Sequence, residues 1–398
     1  IYASDARSII QANLHFIYPY TFRKAFHMKT VAVLFGGKSS EYEVSLSSAY
    51  GALTNINTEK YNIIPVYITK SGEFFTGDYL KDIEAFRDIP MTLKKCRKVT
   101  FVVNEGKTFL SEISSKLFAG KYNQEIDVAF PIVHGTNVED GALQGYLQSV
   151  GLPYVGCDVL SSAVGMNKYV MKILLKEAGF PVLDCCRFRL KETEKLIDCI
   201  HKIENKIGYP NIVKPENLGS SVGISKAENR KELEEALTTA FDFADTVIVE
   251  RAVQNLKEIN CSVLGDVNEA QASVLEEPVQ SDKILSYKDK YVSGDKSGGS
   301  KGMATLKRKI PAEIPDETAE QIKKIAVDAF CHLGCNGVSR IDFLMDTKTG
   351  EFWLNEINTI PGSLSFYLWE PTGMKYTELL DKLVSLALKR HRTNERIN

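Results

Sequence analysis

Two segments in the last quarter of the chain, SRIDFLM (residues 339–345) and WLNEIN (353–358), set polar side chains at alternate positions among apolar ones. Side chains two apart on a β-strand share a face. Arg340 and Asp342 therefore point one way on the first segment, and Glu356 and Asn358 point one way on the second. The turn TKTG between them predicts a hairpin, which could bring all four onto one surface. Three oxygen donors suit a hard cation such as Mg²⁺, whose remaining positions phosphate and water would fill. The arginine can stabilise a transferring phosphoryl group or a tetrahedral centre. A solvated strand face with one salt bridge would carry the same alternation.

Other segments offer anion-binding chemistry. In IVKPENLGSSVGISK, Lys214 ends an apolar strand, and Gly219 and Gly223 flank Ser220 and Ser221. Small residues let backbone N–H groups approach an anion, and the lysine adds a point charge. The spacing is not that of a Walker A loop, and an ordinary glycine turn between strands would look similar. YKDKYVSGDKSGGSKG carries Lys290, Lys296 and Lys301 near Tyr291 among glycines. Such a segment could close over phosphates as a lid, or simply be a surface loop. His134 follows an apolar strand in VAFPIVHGTNVEDG, at the sheet edge where α/β proteins bind ligands. Glu41 lies in the loop GKSSEYE, where it could bind an ammonium group or cap the next helix. Singly these signals are weak. Jointly they suit ATP-driven chemistry in a cleft between domains.

The elements that must position these residues alternate strand and helix at first. KTVAVLFGG, IIPVYITK and VAFPIVHG read as strands of a parallel α/β sheet, with helices after the first and third. Residues 80–125 look less regular. A small α+β region follows, with a helix in 167–182, strands around Lys214, a helix at 231–243 and a strand at 246–253. Strands NCSVLG and AQASVLEE, a helix at 315–334, the hairpin and a last helix near 375–390 complete the chain.

Composition bounds the class. The 398 residues are 44 % hydrophobic with a net charge of −2, which suits a globular protein of two or three domains and gives no basic surface for nucleic acid. No stretch is apolar for the roughly 18 residues a membrane helix needs. Eight scattered cysteines lack zinc or disulfide spacing and read as free thiols of a reducing cytoplasm. The first 27 residues, before Met28, read either as an appended extension or as a native N-terminal arm.

The order of VAVLFGGKSSEYEVSL, HGTNVEDGALQG, LPYVGCDVLSSAVGMNK, IVKPENLGSSVGISK, DKY, SRIDFLM and NEINTIPG resembles the D-alanine–D-alanine ligases of the ATP-grasp superfamily, from Met28 to about residue 385. The resemblance implies an α/β (α+β) three-domain ATP-grasp architecture. Residues 28–156 would form a parallel-sheet preATP-grasp domain for the first substrate, 157–249 the central subdomain and 250–390 the catalytic subdomain, with 391–398 a frayed tail. It implies a cytoplasmic, homodimeric enzyme that uses ATP and two Mg²⁺ (or Mn²⁺) ions to join two D-alanines for peptidoglycan, through an acyl phosphate.

By position, Glu41 would anchor the first substrate's ammonium and link through Ser220 to Tyr291 on the lid, with His134 near that substrate. Lys168, Lys214 and Lys290 would meet the ATP phosphates, alongside Ser221. Glu250 and Glu258 would lie near adenine and ribose, although the segment holding Glu258 is one residue longer than usual. Asp342, Glu356 and Asn358 would hold the metal, and Arg340 with the Gly362 N–H would stabilise the oxyanion. After Pro361-Gly362 the family reads close to MTSHSL, whose later serine and leucine hold the second substrate's carboxylate, whereas this chain has SLSFYL. Tyr367 and Leu368 stand at those positions, and Phe366 replaces the histidine. Tyr291 argues against a D-lactate acceptor. The similar D-Ala-D-Ser ligases of vancomycin resistance keep another D-Ala-D-Xaa product open, and an inactive nucleotide-binding paralogue is the rival of a different class.

Overall fold

The computed structural model describes residues 28–113, 122–190, 196–219, 222–279 and 308–396. The expectations for the first 27 residues, for Ser220 and Ser221, and for the loop with Lys290 and Tyr291 lie outside these residues.

The first sheet contains β1 (Lys29–Gly36), β2 (Tyr61–Ile68), β3 (Phe74–Thr76), β4 (Arg97–Asn104), β5 (Lys107–Glu112), β6 (Asn123–Glu125) and β7 (Val128–Pro131), in the order β6-β5-β4-β3-β2-β1-β7. Helix α1 (Tyr42–Asn55) makes the crossover from β1 to β2. The parallel pairing expected from the sequence holds where β1 meets β2 and β7. The rest of the sheet is antiparallel. Residues 80–125 are thus more regular than expected. They hold the short helix α2 (Ile89–Lys94) and a β4–β5 hairpin whose turn residues Glu105 and Gly106 both have positive φ, 49° and 75°. Positive φ at both central residues is the type I′ geometry that matches strand twist.

Helices α3 (Ala142–Ser149), α4 (Val159–Met166) and α5 (Lys168–Glu177) lead into a second sheet. It comprises β8 (Cys185–Arg189), β9 (Asn211–Pro215), β10 (Ser225–Ala227) and β11 (Thr246–Arg251), in the antiparallel order β10-β9-β11-β8. Helices α6 (Leu196–Lys206) and α7 (Arg230–Phe241) cover it and share its small core, which includes Ile203, Val213, Leu233 and Val247. The third sheet holds β12 (Leu256–Gly265), β13 (Ala270–Pro278), β14 (Arg308–Lys309), β15 (Gly337–Asp346) and β16 (Phe352–Asn358), in the order β14-β13-β12-β15-β16. Helix α8 (Asp316–His332) packs on one face through Ile322, Ala326 and Phe330.

The last helix, α9 (Tyr376–Glu395), continues past the end expected near residue 390. Its Leu379, Leu380, Leu383 and Val384 are fully buried, and they belong to the same core as Val31, Val33, Val66 and Phe130 of the first sheet. Val338 of β15 and Leu264 of β12 join that core too. The first and third sheets are therefore welded by one apolar cluster, while the second sheet has its own. Polar contacts reinforce the weld: Arg390 donates to the carbonyls of Gly156 and Tyr154 and stacks on the Tyr154 ring.

Leu383→Ala should lower global stability by about 3 kcal/mol, the usual cost of emptying a fully buried leucine site. Urea unfolding measures it. A change under about 1 kcal/mol would place the helix outside the core.

Candidate active site

The hairpin forms in the register that brings the predicted residues together. Asp342 of β15 pairs with Glu356 of β16, and Arg340 pairs with Asn358. Across the other edge of β15, Asp342 pairs with Asn260 of β12, which pairs in turn with Glu276 of β13. One row across four strands thus reads Glu276, Asn260, Asp342, Glu356. Arg340 grips Asp342 with two hydrogen bonds of 2.7 Å, and Asn358 Nδ2 donates to Asp342 Oδ2 at 3.0 Å. Burial, with the nearby Glu356 and Glu258 carboxylates, pushes the Asp342 carboxyl up to about 6 in spite of Arg340. A divalent cation would relieve that crowding, and two carboxylates with an amide oxygen are the hard donors it takes. Asp342, Glu356 and Asn358 fit it in that sense. Among the described residues no group of three or more His, Cys, Asp or Glu side chains is assembled for a metal, so phosphate and water would have to complete the shell.

A cavity of about 90 Å³ adjoins this face and is lined by Glu41, His134, Glu139, Lys168, Gly219, Arg340, Glu356, Asn358 and Gly362, among others. It joins the first domain's loops to the third sheet. Glu41 is tightly held. A β-carbon on Gly219 would lie 2.8 Å from its Oε2, and one on Gly135 would lie 3.0 Å from the same atom. Only glycine lets backbone approach that closely, and Gly135 also has φ +85°. His134 is buried, shares a 3.1 Å hydrogen bond with Ser48 Oγ, and has its pKa lowered by burial to about 4. It is therefore neutral near pH 7. Glu139 accepts from the backbone N–H of Gly135 at 2.9 Å and of Ile360 at 3.0 Å. Burial first, and Glu41 second, raise its pKa to about 8. Lys168 is buried too, donates to the Leu218 carbonyl, and has its pKa lowered by burial although Glu356 opposes this.

After Gly362 the backbone turns the wrong way for L-residues. Ser363, Leu364 and Ser365 have φ of 50°, 53° and 50°, a left-handed turn. Each such residue costs on the order of 1–2 kcal/mol. The turn is fixed from all sides. Ser363 N–H donates to Ser48 Oγ at 2.9 Å, Trp369 Nε1 donates to Ser262 Oγ at 3.0 Å, and Phe366 stacks on Tyr376 at 4.5 Å. Ser48 therefore ties His134 to the turn. Tyr367 does not present an open hydroxyl: its O–H donates to Glu276 Oε2 at 3.1 Å. Leu368 is fully buried.

A larger cavity of about 880 Å³ lies between the second and third sheets, with Glu250, Glu258, Ile212, Leu344 and Lys257 in its lining. At its floor Glu250 sits between two lysines. Lys214 donates to Oε1, and Lys172 Nζ lies 3.1 Å from Oε2, all three groups being buried. Burial works to raise the Glu250 pKa, but the two ammonium groups more than reverse it and hold the carboxyl at about 2. Lys214 also donates to Asn355 Oδ1 at 3.1 Å, which links the second sheet to β16.

The two sequence profiles described as D-ala D-ala ligase N-terminus and D-ala D-ala ligase C-terminus match residues 30–157 and 174–385. The D-alanine–D-alanine ligase of Thermosipho melanesiensis is 41 % identical over 364 residues, covering 91 % of this chain and 94 % of that protein. This chain belongs to the D-alanine–D-alanine ligase family. Among solved structures, the D-alanine–D-alanine ligase from Coxiella burnetii aligns at TM-score 0.76 and 29 % identity, covering 93 % of this chain and 96 % of that one. VanG D-Ala:D-Ser ligase from Enterococcus faecalis aligns at 0.74 and 34 %, covering 90 % and 99 %. The fold is accordingly the ATP-grasp fold of these ligases.

Three side chains in this D-alanine–D-alanine ligase family member escaped the sequence reading. Lys172 had a legible signal: it follows Lys168 by one helical turn on the face of α5 that also carries Met171 and Leu175. Glu139 read only as the first residue of the helix EDGALQGYLQSVG, because its partner Ile360 is remote in sequence. Ser48 looked like one small residue among several in α1.

Glu250→Gln should cost about 3–5 kcal/mol near neutral pH, because it strands two buried ammonium groups. The folded-state pKa is depressed, so the wild-type advantage exists above the unfolded carboxyl value of 4.5 and is lost as pH falls toward about 2. Denaturation of both proteins from pH 7 to pH 2 should show the gap closing on the acid side, and a gap that stays constant would contradict the pairing.

Proposed function

We propose that this protein is an ATP-dependent, ADP-forming ligase that joins two D-alanines into D-alanyl-D-alanine for peptidoglycan synthesis. The observation that carries the reading is the small cavity in which Glu41 and His134 of the first domain meet Arg340, Glu356, Asn358 and Gly362 of the third. Family membership supports the same chemistry.

The donor's carboxylate oxygen would attack the terminal phosphorus of ATP, with ADP leaving. The acceptor amine, after losing a proton, would attack the acyl carbon. The tetrahedral centre would then expel phosphate with the electron pair of the C–O bond. Glu41 would hold the donor ammonium, beside neutral His134. Lys168 and Lys214 would face the phosphates, with Lys290, Ser220, Ser221 and Tyr291 contributed by the glycine-rich segments. Glu250 and Glu258 would serve adenine and ribose in the larger cavity. Arg340 and the Gly362 backbone would meet the developing oxyanion. Mg²⁺ or Mn²⁺, held by Asp342, Glu356 and Asn358 as one or two ions, would neutralise phosphate charge. Water must be kept from an acyl phosphate, and the cavity lies between packed domains.

The reading carries with it a cytoplasmic homodimer. No helix among the described residues is long and apolar enough to cross a membrane. A D-serine acceptor is the second reading, supported by the likeness to VanG D-Ala:D-Ser ligase and by Tyr367 standing where the family carries serine.

With ATP and Mg²⁺, D-alanine should stimulate ADP release and yield D-alanyl-D-alanine by mass spectrometry. If no D-amino acid stimulates ATP turnover, the ligase reading fails. Offering D-serine beside D-alanine separates the two readings by product ratio. Glu356→Gln should lower turnover about 100-fold or more, and near-normal turnover would remove Glu356 from the metal face.

A further inference from the structure

The ligase reading requires two amino acids on opposite sides of one reacting carbon. On that reading the donor lies at the small cavity, whose lining includes Glu41, His134 and Glu139. The acceptor brings a second carboxylate, which needs a cation remote from that acidic pocket. The row of paired residues through Asp342 and Glu356 continues the other way, through Asn260 to Glu276.

Glu276 is only 4 % exposed, yet it is heavily engaged. Asn260 donates to its Oε2 at 3.2 Å, the Tyr367 hydroxyl donates to the same oxygen at 3.1 Å, and Arg308 Nη1 lies 3.2 Å from Oε1. The Arg308 guanidinium also stacks on the Tyr367 ring, 4.3 Å from its centroid. Tyr367 belongs to the turn that begins at Gly362, so this guanidinium is anchored to the backbone that borders the reacting centre. A planar cation paired with a buried carboxylate and lying over an aromatic ring is pre-organised for a second carboxylate. A surface pair of long side chains would not be. Burial keeps the Tyr367 phenol protonated, so it remains a donor to Glu276.

We propose that Arg308 binds the carboxylate of the acceptor amino acid, with Glu276 and Tyr367 as positioning residues that fix its guanidinium. Tyr367 then serves as a platform rather than a ligand, which accounts for a tyrosine where a serine was expected. The acceptor is an α-amino acid with a free carboxylate, and its recognition is separate from that of the donor.

The test uses the full chain with ATP, Mg²⁺ and D-alanine, with D-alanine or D-alaninamide as acceptor and products quantified by mass spectrometry. Arg308→Gln should raise the acceptor KM about 30-fold, the size expected for a lost charge-assisted pair, and leave the donor KM within about twofold. The preference for D-alanine over D-alaninamide should collapse by a similar factor, and Arg308→Lys should recover part of it. Tyr367→Leu, which removes the platform, should move the acceptor KM in the same direction by a smaller factor. An unchanged acceptor KM and unchanged preference in Arg308→Gln would overturn the assignment. So would an equal rise in both KM values with a lowered Tm, since that marks a structural role. If the wild-type protein forms no D-alanyl dipeptide at all, the ligase reading fails first and this inference falls with it.

Discussion

The structure is governed by the need to keep several carboxylates in one poorly solvated cleft. Glu276, Asp342 and Glu356 lie in a single row of the third sheet, and Glu250 faces the cleft from the second. Burying a bare carboxylate costs several kcal/mol, so each must be met by a cation or by convergent donors. Arg308 meets Glu276, Arg340 meets Asp342, and Lys172 and Lys214 meet Glu250. The cations are therefore part of the fold before they are part of any reaction. Phosphates entering the cleft would find lysines already desolvated, and a divalent cation would find carboxylates already crowded. Binding of such groups would exchange partners in the cleft rather than recruit charge from water.

The same economy explains the left-handed turn. Three L-residues in a disfavoured conformation persist only where the surroundings over-determine them. Here a buried tryptophan, a stacked phenylalanine and a serine hydroxyl from the first domain do so. Ser48 makes the turn and His134 answer to the same atom, so a shift in the backbone after Gly362 is felt at the small cavity. The pocket and the turn are two ends of one rigid unit.

Much of this was legible in the sequence, and the remainder failed for a physical reason. Alternation along SRIDFLM and WLNEIN gave the hairpin and its polar face, because strand periodicity is local. The β4–β5 hairpin was missed, although Glu105-Gly106 between alternating apolar residues is a turn signal. Lys172 was missed because one lysine on an amphipathic helix looks like any other until its face is counted. Glu139, and the orientation of Tyr367, depend on partners far along the chain: Ile360 in one case and Glu276 in the other. No local rule reaches across such separations. The helix α9 was anticipated as an element, but not its burial against α1, β7 and β15.

That burial has a consequence for biosynthesis. The helix that completes the first domain's core is translated after every other described element. Until residues 376–395 leave the ribosome, the first sheet lacks Leu379, Leu380, Leu383 and Val384 and exposes the apolar face they cover. The second sheet, with its separate core, is under no such delay and can fold as it emerges. The nascent chain is thus expected to carry a finished second sheet while its first sheet waits, open, for the last turns of helix to be made.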